Sequence, residues 1–275
     1  MTGNTLRAYV SRLQNFEAYI QSISRQNPSM SMEACVISYV IACQKNDQAP
    51  QSVRGFCVAW KSYCRFANLP YPQVKISAQE SPVQALAPAH QRRILQVLNE
   101  SFTERDRALV SLIMLAGLRT GEIVHANFHD LRFHNDDLSL TVRDEQGTVR
   151  RILPISRLAR HMILAWILRR REIKAADDAL FVSNAGCRLH PNSIRWCVAN
   201  VGRHVGIELS PQILRNTFIA NLAANLSDSE TVAALSGLQS TSRLARFMHP
   251  SPIGDASVAV QLASNNICGG PSSPL

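Results

Sequence analysis

The stretch Leu112-Ile-Met-Leu-Ala-Gly-Leu-Arg-Thr-Gly-Glu-Ile-Val124 decides how the chain is read. An apolar run reaches Gly117, breaks through Leu118-Arg119-Thr120-Gly121, and resumes from Glu122. Glycine closes a helix because it takes left-handed backbone angles without steric cost. The spacing therefore predicts helix, turn, helix, with one arginine carried out of an apolar scaffold. Glu122 falls in the first turn of the second helix, where a carboxylate favours the helix dipole and can steady the arginine. Taken alone, this pattern fits a surface arginine near a helix cap as well as a binding residue. The rest of the chain separates the two.

The 275 residues carry a formal net charge of +9 and are 46% hydrophobic. That is enough apolar material for a core, and length alone suggests one large or two modest domains. The basic excess favours a polyanionic partner, nucleic acid first and an acidic membrane surface second. Residues 1–80 hold 8 Lys/Arg against 4 Asp/Glu, and residues 81–275 hold 21 against 16, so no single basic tail explains the charge. The seven cysteines (35, 43, 57, 64, 187, 197 and 268) form an odd set without a Cys-x-x-Cys pair. This argues against a disulfide framework or a zinc site and fits a reducing compartment. The uncharged run from Ala108 to Leu118 is too short to span a bilayer, and the N-terminus lacks a signal-peptide core. A cytoplasmic, nucleoid-associated protein is expected.

Helical periodicity covers residues 4–24, 32–45 and 51–67. The third helix has an apolar stripe (Val53, Phe56, Cys57, Trp60, Cys64) and a cationic face of Arg54, Lys61 and Arg65. That face reads either as solvated or as laid against phosphates. Leu69-Pro-Tyr-Pro72 ends the unit, and the polar, proline-punctuated residues up to Pro88 read as a linker. A first domain over 1–74, a linker over 75–87, a second domain over 88–252 and a C-terminal segment with a disordered tail over 253–275 are expected. In the second domain a helix over 88–99 precedes the one feeding Gly117. Leu138–Val142 and Val149–Ile155 flank a Gly-bearing turn and predict a β-hairpin. Helices over 156–174, 191–205, 211–225, 229–237 and 241–247 follow. The tail holds one weakly helical piece, Ala256 to Ala263.

The order of parts resembles the tyrosine recombinases, the phage-type integrases. Two motifs carry the resemblance: Leu115-Ala-Gly-Leu-Arg-Thr-Gly-Glu-Ile123 and Ser210-Pro-Gln-Ile-Leu-Arg-Asn-Thr-Phe218. Arg151-Ile-Leu-Pro154 after the hairpin and Ala179-Leu-Phe181 support it, and the similarity spans about residues 4–250. It implies a mainly α fold with a small β-hairpin or sheet. A helical, SAM-like core-binding domain would be joined to an α+β catalytic-like domain, and the two would clamp duplex DNA. In that family two arginines hold the scissile phosphate, a hairpin lysine and two histidine-type residues move protons, and a tyrosine attacks phosphorus.

Carried over position by position, the two arginines correspond to Arg119 and Arg215, whose guanidinium forks suit phosphate. The hairpin lysine position falls on Gln146, the histidine before the second arginine on Gln212, and the Leu-Gly-His histidine on Leu238. The nucleophile position falls on Phe247, which has no hydroxyl, and all five tyrosines lie at 9, 19, 39, 63 and 71. The resemblance therefore predicts a catalytically inactive, non-enzymatic protein that binds double-stranded DNA. The expected contacts are Arg119, Arg215, Arg150, Arg151, Arg195, Arg203 and Arg243 from the second domain, with Arg54, Lys61 and Arg65 from the first. Gln146 and Gln212 can hydrogen-bond phosphate or a base edge. No cofactor or metal is expected. A sequence-specific transcriptional regulator, of a plasmid or other mobile element, is the leading reading. An architectural or partition factor, an accessory protein in recombination, and a recombinase using Ser240, Thr241 or Ser242 are the alternatives. The segment 253–268, apolar at Val258, Val260 and Leu262, is expected to dock on a neighbouring protomer and give a dimer or higher oligomer on DNA.

Overall fold

The computed structural model describes residues 3–24, 28–71, 83–135, 137–225, 228–247 and 251–253. The chain divides into two compact units, Met1–Ser81 and Pro82–Leu275. The expected helix over 256–263 and the docking segment lie largely outside the described residues.

Apolar residues at helical spacing give the first unit three helices: α1 (Gly3–Ser24), α2 (Met32–Lys45) and α3 (Pro50–Ala67). Ser31 caps α2 by accepting from the Ala34 N–H at 3.2 Å, and Pro50 starts α3, where a missing N–H costs nothing. Asn68 closes α3 in the left-handed region at φ 53°. The core is aromatic. The Phe16 ring centroid lies 5.1 Å from those of Phe56 and Trp60 and 5.2 Å from that of Tyr39. Val36, Val40, Val53 and Cys64 complete it.

The second unit is built around one buried helix. After β1 (Gln84–Leu86) and α4 (Pro88–Ser101) comes α5 (Glu104–Ala116), which is buried on nearly every side from Ala108 to Met114. Thr103 caps it through its side chain, and Gly117 ends it at φ 67°. A short α6 (Thr120–His125) follows. Next come β2 (Leu131–His134), β3 (Asp137–Arg143) and β4 (Val149–Ile155), antiparallel in the order β2-β3-β4. Then come α7 (Arg157–Arg170), α8 (Pro191–Val205), α9 (Pro211–Asn225) and α10 (Ser229–Ser236), a 3-10 turn at Thr241–Phe247, and β5 (Ser251–Ile253). The fold is mainly helical with a small antiparallel sheet, as the sequence implied.

Four details depart from the sequence reading. Residues 84–86, expected in the linker, form β1 and pair in parallel with β5. Ala85 and Leu86 are buried there, and the Leu86 N–H donates to Thr217 Oγ1 at 2.8 Å, so contacts distant in sequence make this strand. A third strand, β2, joins the hairpin; its burial pattern has only Leu131 inside, which leaves no clear alternation to read. The helix expected over 156–174 starts at Arg157 behind its cap Ser156 and ends at Arg170. The helix expected over 241–247 is 3-10 rather than α.

Gly117 is required twice over. Its φ is positive, and a Cβ there would lie 2.1 Å from Phe218 Cδ1, so α5 and α9 approach through the missing side chain. Gly117→Ala is expected to destabilise the protein by about 2–4 kcal/mol, from backbone strain and overpacking together. Urea unfolding followed by circular dichroism checks this, and an unchanged midpoint would contradict it.

Candidate nucleic-acid interface

The turn between α5 and α6 places Arg119 at the N-cap of α6 in extended conformation. Glu122, at the third helical position, reaches back: its Oε2 accepts the Arg119 backbone N–H at 2.8 Å and its Oε1 accepts Arg119 Nη1 at 2.8 Å. Arg119 Nη2 donates to the Gly237 carbonyl at 2.6 Å, across the residue that closes α10.

Two further guanidinium groups converge here. Arg151, on β4, grips Glu122 with both nitrogens, Nη1 to Oε1 at 2.7 Å and Nη2 to Oε2 at 2.9 Å. Arg215, on α9, donates to the Gly117 carbonyl through Nη1 and to the Ser236 carbonyl through Nη2. Arg119 and Arg215 are thus brought together, from 96 residues apart in sequence, by the two chain turns at Gly117 and Gly237. Gly237 is at φ 65°, and a Cβ on it would lie 2.6 Å from Arg151 Nη1 and 3.3 Å from Arg119 Nη1. A side chain at 237 would be strained by the positive φ and would displace the ends of the two arginines.

The groups differ in what they show to solvent. The Arg119 side chain is 45% exposed, whereas those of Arg151 and Glu122 are 9% and 13% exposed and Arg215 is 4% exposed. Burial alone would raise the Glu122 carboxyl. The hydrogen bonds and charge of Arg151, followed by those of Arg119, override this and hold it at about 2. Arg215 is drawn down to about 10, by burial first and then by the charge of Arg119; Glu122 opposes this and Arg151 adds to it. Three guanidinium groups face one carboxylate. The surplus positive charge opens to solvent at Arg119, which is the electrostatic form of an anion site.

The other expected contacts lie elsewhere. Arg150 and Arg151 are neighbours on β4, and the pleat sends them to opposite faces. Arg150 is exposed and pairs with Asp144 Oδ2 at 2.6 Å, while Arg151 turns inward with Leu153 and Ile155. Gln146 is exposed in the β3–β4 turn, where its N–H donates to Asp144 Oδ1 at 2.9 Å. Gln212 is exposed in the first turn of α9, and its Nε2 donates to Asn216 Oδ1 at 2.7 Å. Arg195 donates to Asn192 Oδ1 at 2.7 Å, and the Arg203 guanidinium lies 6.0 Å from the centre of the Trp196 ring; both are on α8. Leu238 packs against an apolar cluster that contains Phe247, which is buried among Val83, Ile219, Ala223, Val232 and Leu244. The Arg243 side chain lies outside the described positions. In the first unit Arg54 is half-buried, Arg65 is exposed, and Lys61 Nζ lies 5.6 Å from the Tyr71 ring centre. Among the described residues no helix is long and apolar enough to cross a membrane, and no group of His, Cys, Asp or Glu could hold a metal ion.

The Arg151–Glu122 pair was absent from the sequence reading. The alternation Arg151, Leu153, Ile155 on an expected strand was the signal that could have found it, because it puts Arg151 on the core face. Gly237 directly precedes Leu238, and its carbonyl and its missing Cβ are what the site uses.

Residues 84–252 match the model of the phage integrase family, so the chain belongs to that family. It is similar to the tyrosine recombinase XerC of Pseudomonas savastanoi pv. phaseolicola, with 26% identity over 86% of this chain and 82% of that protein. It is also similar to XerC of Pseudomonas fluorescens, with 32% identity over 53% of this chain and 50% of that protein. The crystal structure of the XerH site-specific recombinase bound to a palindromic difH substrate, a post-cleavage complex, superposes with a TM-score of 0.76. Identity there is 14%, over 94% of this chain and 78% of the other, and shows the shared fold.

These relatives correct one expectation. The chain was expected not to be an enzyme, on the residues standing at Gln146, Gln212, Leu238 and Phe247. Relatives named as tyrosine recombinases, which cut and rejoin DNA, align along most of this chain and overturn that expectation. The physical ground for it was the loss of proton-transfer and nucleophilic groups at those four positions and the confinement of all five tyrosines to residues 9–71, with Arg119 and Arg215 retained.

The lowered Glu122 value has a consequence for stability. A carboxyl held at about 2 against an ordinary 4.5 stabilises the folded state fully above about pH 4.5 and loses that contribution as pH falls toward 2. The contribution is about 3 kcal/mol. Urea unfolding between pH 6 and 2.5 should show the wild type losing roughly that much more stability than Glu122→Gln. Parallel pH profiles for the two proteins would contradict it.

Proposed function

We propose that the chain binds duplex DNA at a specific sequence as a component of site-specific recombination, with Arg119 on a backbone phosphate. The supporting observation is the cluster of Arg119, Arg151 and Arg215 around one carboxylate, open to solvent at Arg119. Arg119 has its backbone N–H pinned on Glu122 Oε2 and its far guanidinium nitrogen on the Gly237 carbonyl, so it is positioned before the anion arrives, which lowers the entropy lost on binding. Arg215 ties the Gly117 and Ser236 carbonyls together and adds positive charge from behind. Phosphate contacts fix position, and base-edge contacts supply sequence preference. Arg150, Arg195 and Arg203 in the second unit, and Lys61 and Arg65 in the first, are exposed cations suited to further phosphates. The recombination setting follows from the relatives' named activity and from the family.

Arg119→Ala is expected to weaken binding to a duplex selected by the wild-type chain by roughly 10- to 100-fold, the cost of a charged hydrogen-bonded contact. It should also flatten the dependence of log K on log salt by about 0.9. Fluorescence anisotropy at several salt concentrations reads both, and unchanged affinity and slope would remove the cluster from the DNA interface. Genome-wide occupancy should give a few sharp peaks sharing one sequence. Peaks at promoters would favour a role in transcription, and uniform coverage would contradict site-specific binding.

A further inference from the structure

Arg151 exposes little of its side chain to meet DNA, yet it is the group most fully engaged with the site. It holds both oxygens of Glu122, is 9% exposed, and has a buried Nε without a hydrogen-bond partner. Arg119 shares one of those oxygens and is 45% exposed. In the free protein, Arg119 is therefore occupied by an internal anion that competes with phosphate.

We infer that Arg151 is a positioning residue that keeps Glu122 neutralised while Arg119 turns from it to a DNA phosphate. When phosphate takes the guanidinium N–H groups that Glu122 and Gly237 leave, Arg119 shares its charge between two anions and its bond to Glu122 Oε1 weakens. Were Arg119 the only partner, this would strand a largely buried carboxylate, which is strongly unfavourable. Bidentate pairing by Arg151 leaves both oxygens satisfied, so Arg119 is released at little cost. The geometry is built for this division of labour. Gly237 leaves the room in which Arg151 Nη1 passes, and its carbonyl holds the far nitrogen of Arg119. Glu122 also keeps its second oxygen on the Arg119 backbone N–H, so the turn stays in place when the side chain moves. Arg151 thus acts on DNA through Arg119 and touches no phosphate itself.

This inference rests on the DNA reading above, and a double-mutant cycle separates the two. The probe is a duplex recovered from a randomised library by the full wild-type chain. Arg119→Ala, Arg151→Met and the double variant are titrated against it by anisotropy across a salt series, and folding of each is checked by thermal melting. Arg151→Met is expected to lose roughly tenfold in affinity and about 0.9 in salt slope. In the Arg119→Ala background it should cost less than twofold and leave the slope where Arg119→Ala put it. Additive losses would overturn the inference, because a direct phosphate contact or a general charge effect acts whether or not Arg119 is present. No loss from Arg119→Ala would instead remove the DNA reading and this inference with it. Arg151→Lys gives the same cycle if Arg151→Met does not fold: one ammonium cannot hold both carboxylate oxygens, so a smaller loss confined to the Arg119 background is expected.

Discussion

The second unit depends on one carboxylate with two cationic claimants. Glu122 accepts from Arg151 with both oxygens and from Arg119 by side chain and backbone. Through it β4, the α5–α6 turn and the end of α10 are held as one body, since Arg119 also reaches the Gly237 carbonyl. Arg215 makes a parallel tie from α9 to Gly117 and Ser236. Three like charges would not converge without these bonds. The site is therefore a balance between repulsion among guanidinium groups and a few well-placed oxygens. That balance leaves positive charge unspent where Arg119 meets solvent.

The local parts of this arrangement were legible in the sequence. The glycine-closed helix, the arginine in the turn and the glutamate three residues on follow from backbone preference and dipole alone, and the motif around Arg215 brought in the second arginine. The Arg151 partnership was not read because it depends on which face of β4 points inward. Strands β1 and β5 were missed because each is three residues long and is made by a partner far away in sequence. The shift of 241–247 from α to 3-10 is likewise set by packing, with Leu244 and Phe247 drawn into the cluster around Ile219 and Val232.

The residues at Gln146, Gln212, Leu238 and Phe247, with no tyrosine in the second domain, imply a protein that is not an enzyme, and the relatives named as tyrosine recombinases overturn that expectation. Two glycines proved as informative as any charged residue. Gly117 admits the Phe218 ring, and Gly237 admits two arginines. Neither role is visible until the helices are packed, although Gly117 already reads as a helix end in the sequence.

In the first unit a packed core again fixes where the charges lie. Its aromatic core around Phe16 fixes α3, and Lys61 and Arg65 are left exposed along that helix. Their spacing of four puts them on one face, suited to successive phosphates of a backbone.

The central claim is that Arg119 holds a particular phosphate. It is tested most directly by replacing single phosphates of the selected duplex with neutral methylphosphonate, one position at a time, and measuring binding by wild type and Arg119→Ala. One position should weaken the wild type by about tenfold or more while leaving Arg119→Ala unaffected. If every position that weakens the wild type weakens Arg119→Ala equally, Arg119 makes no phosphate contact and the account is wrong.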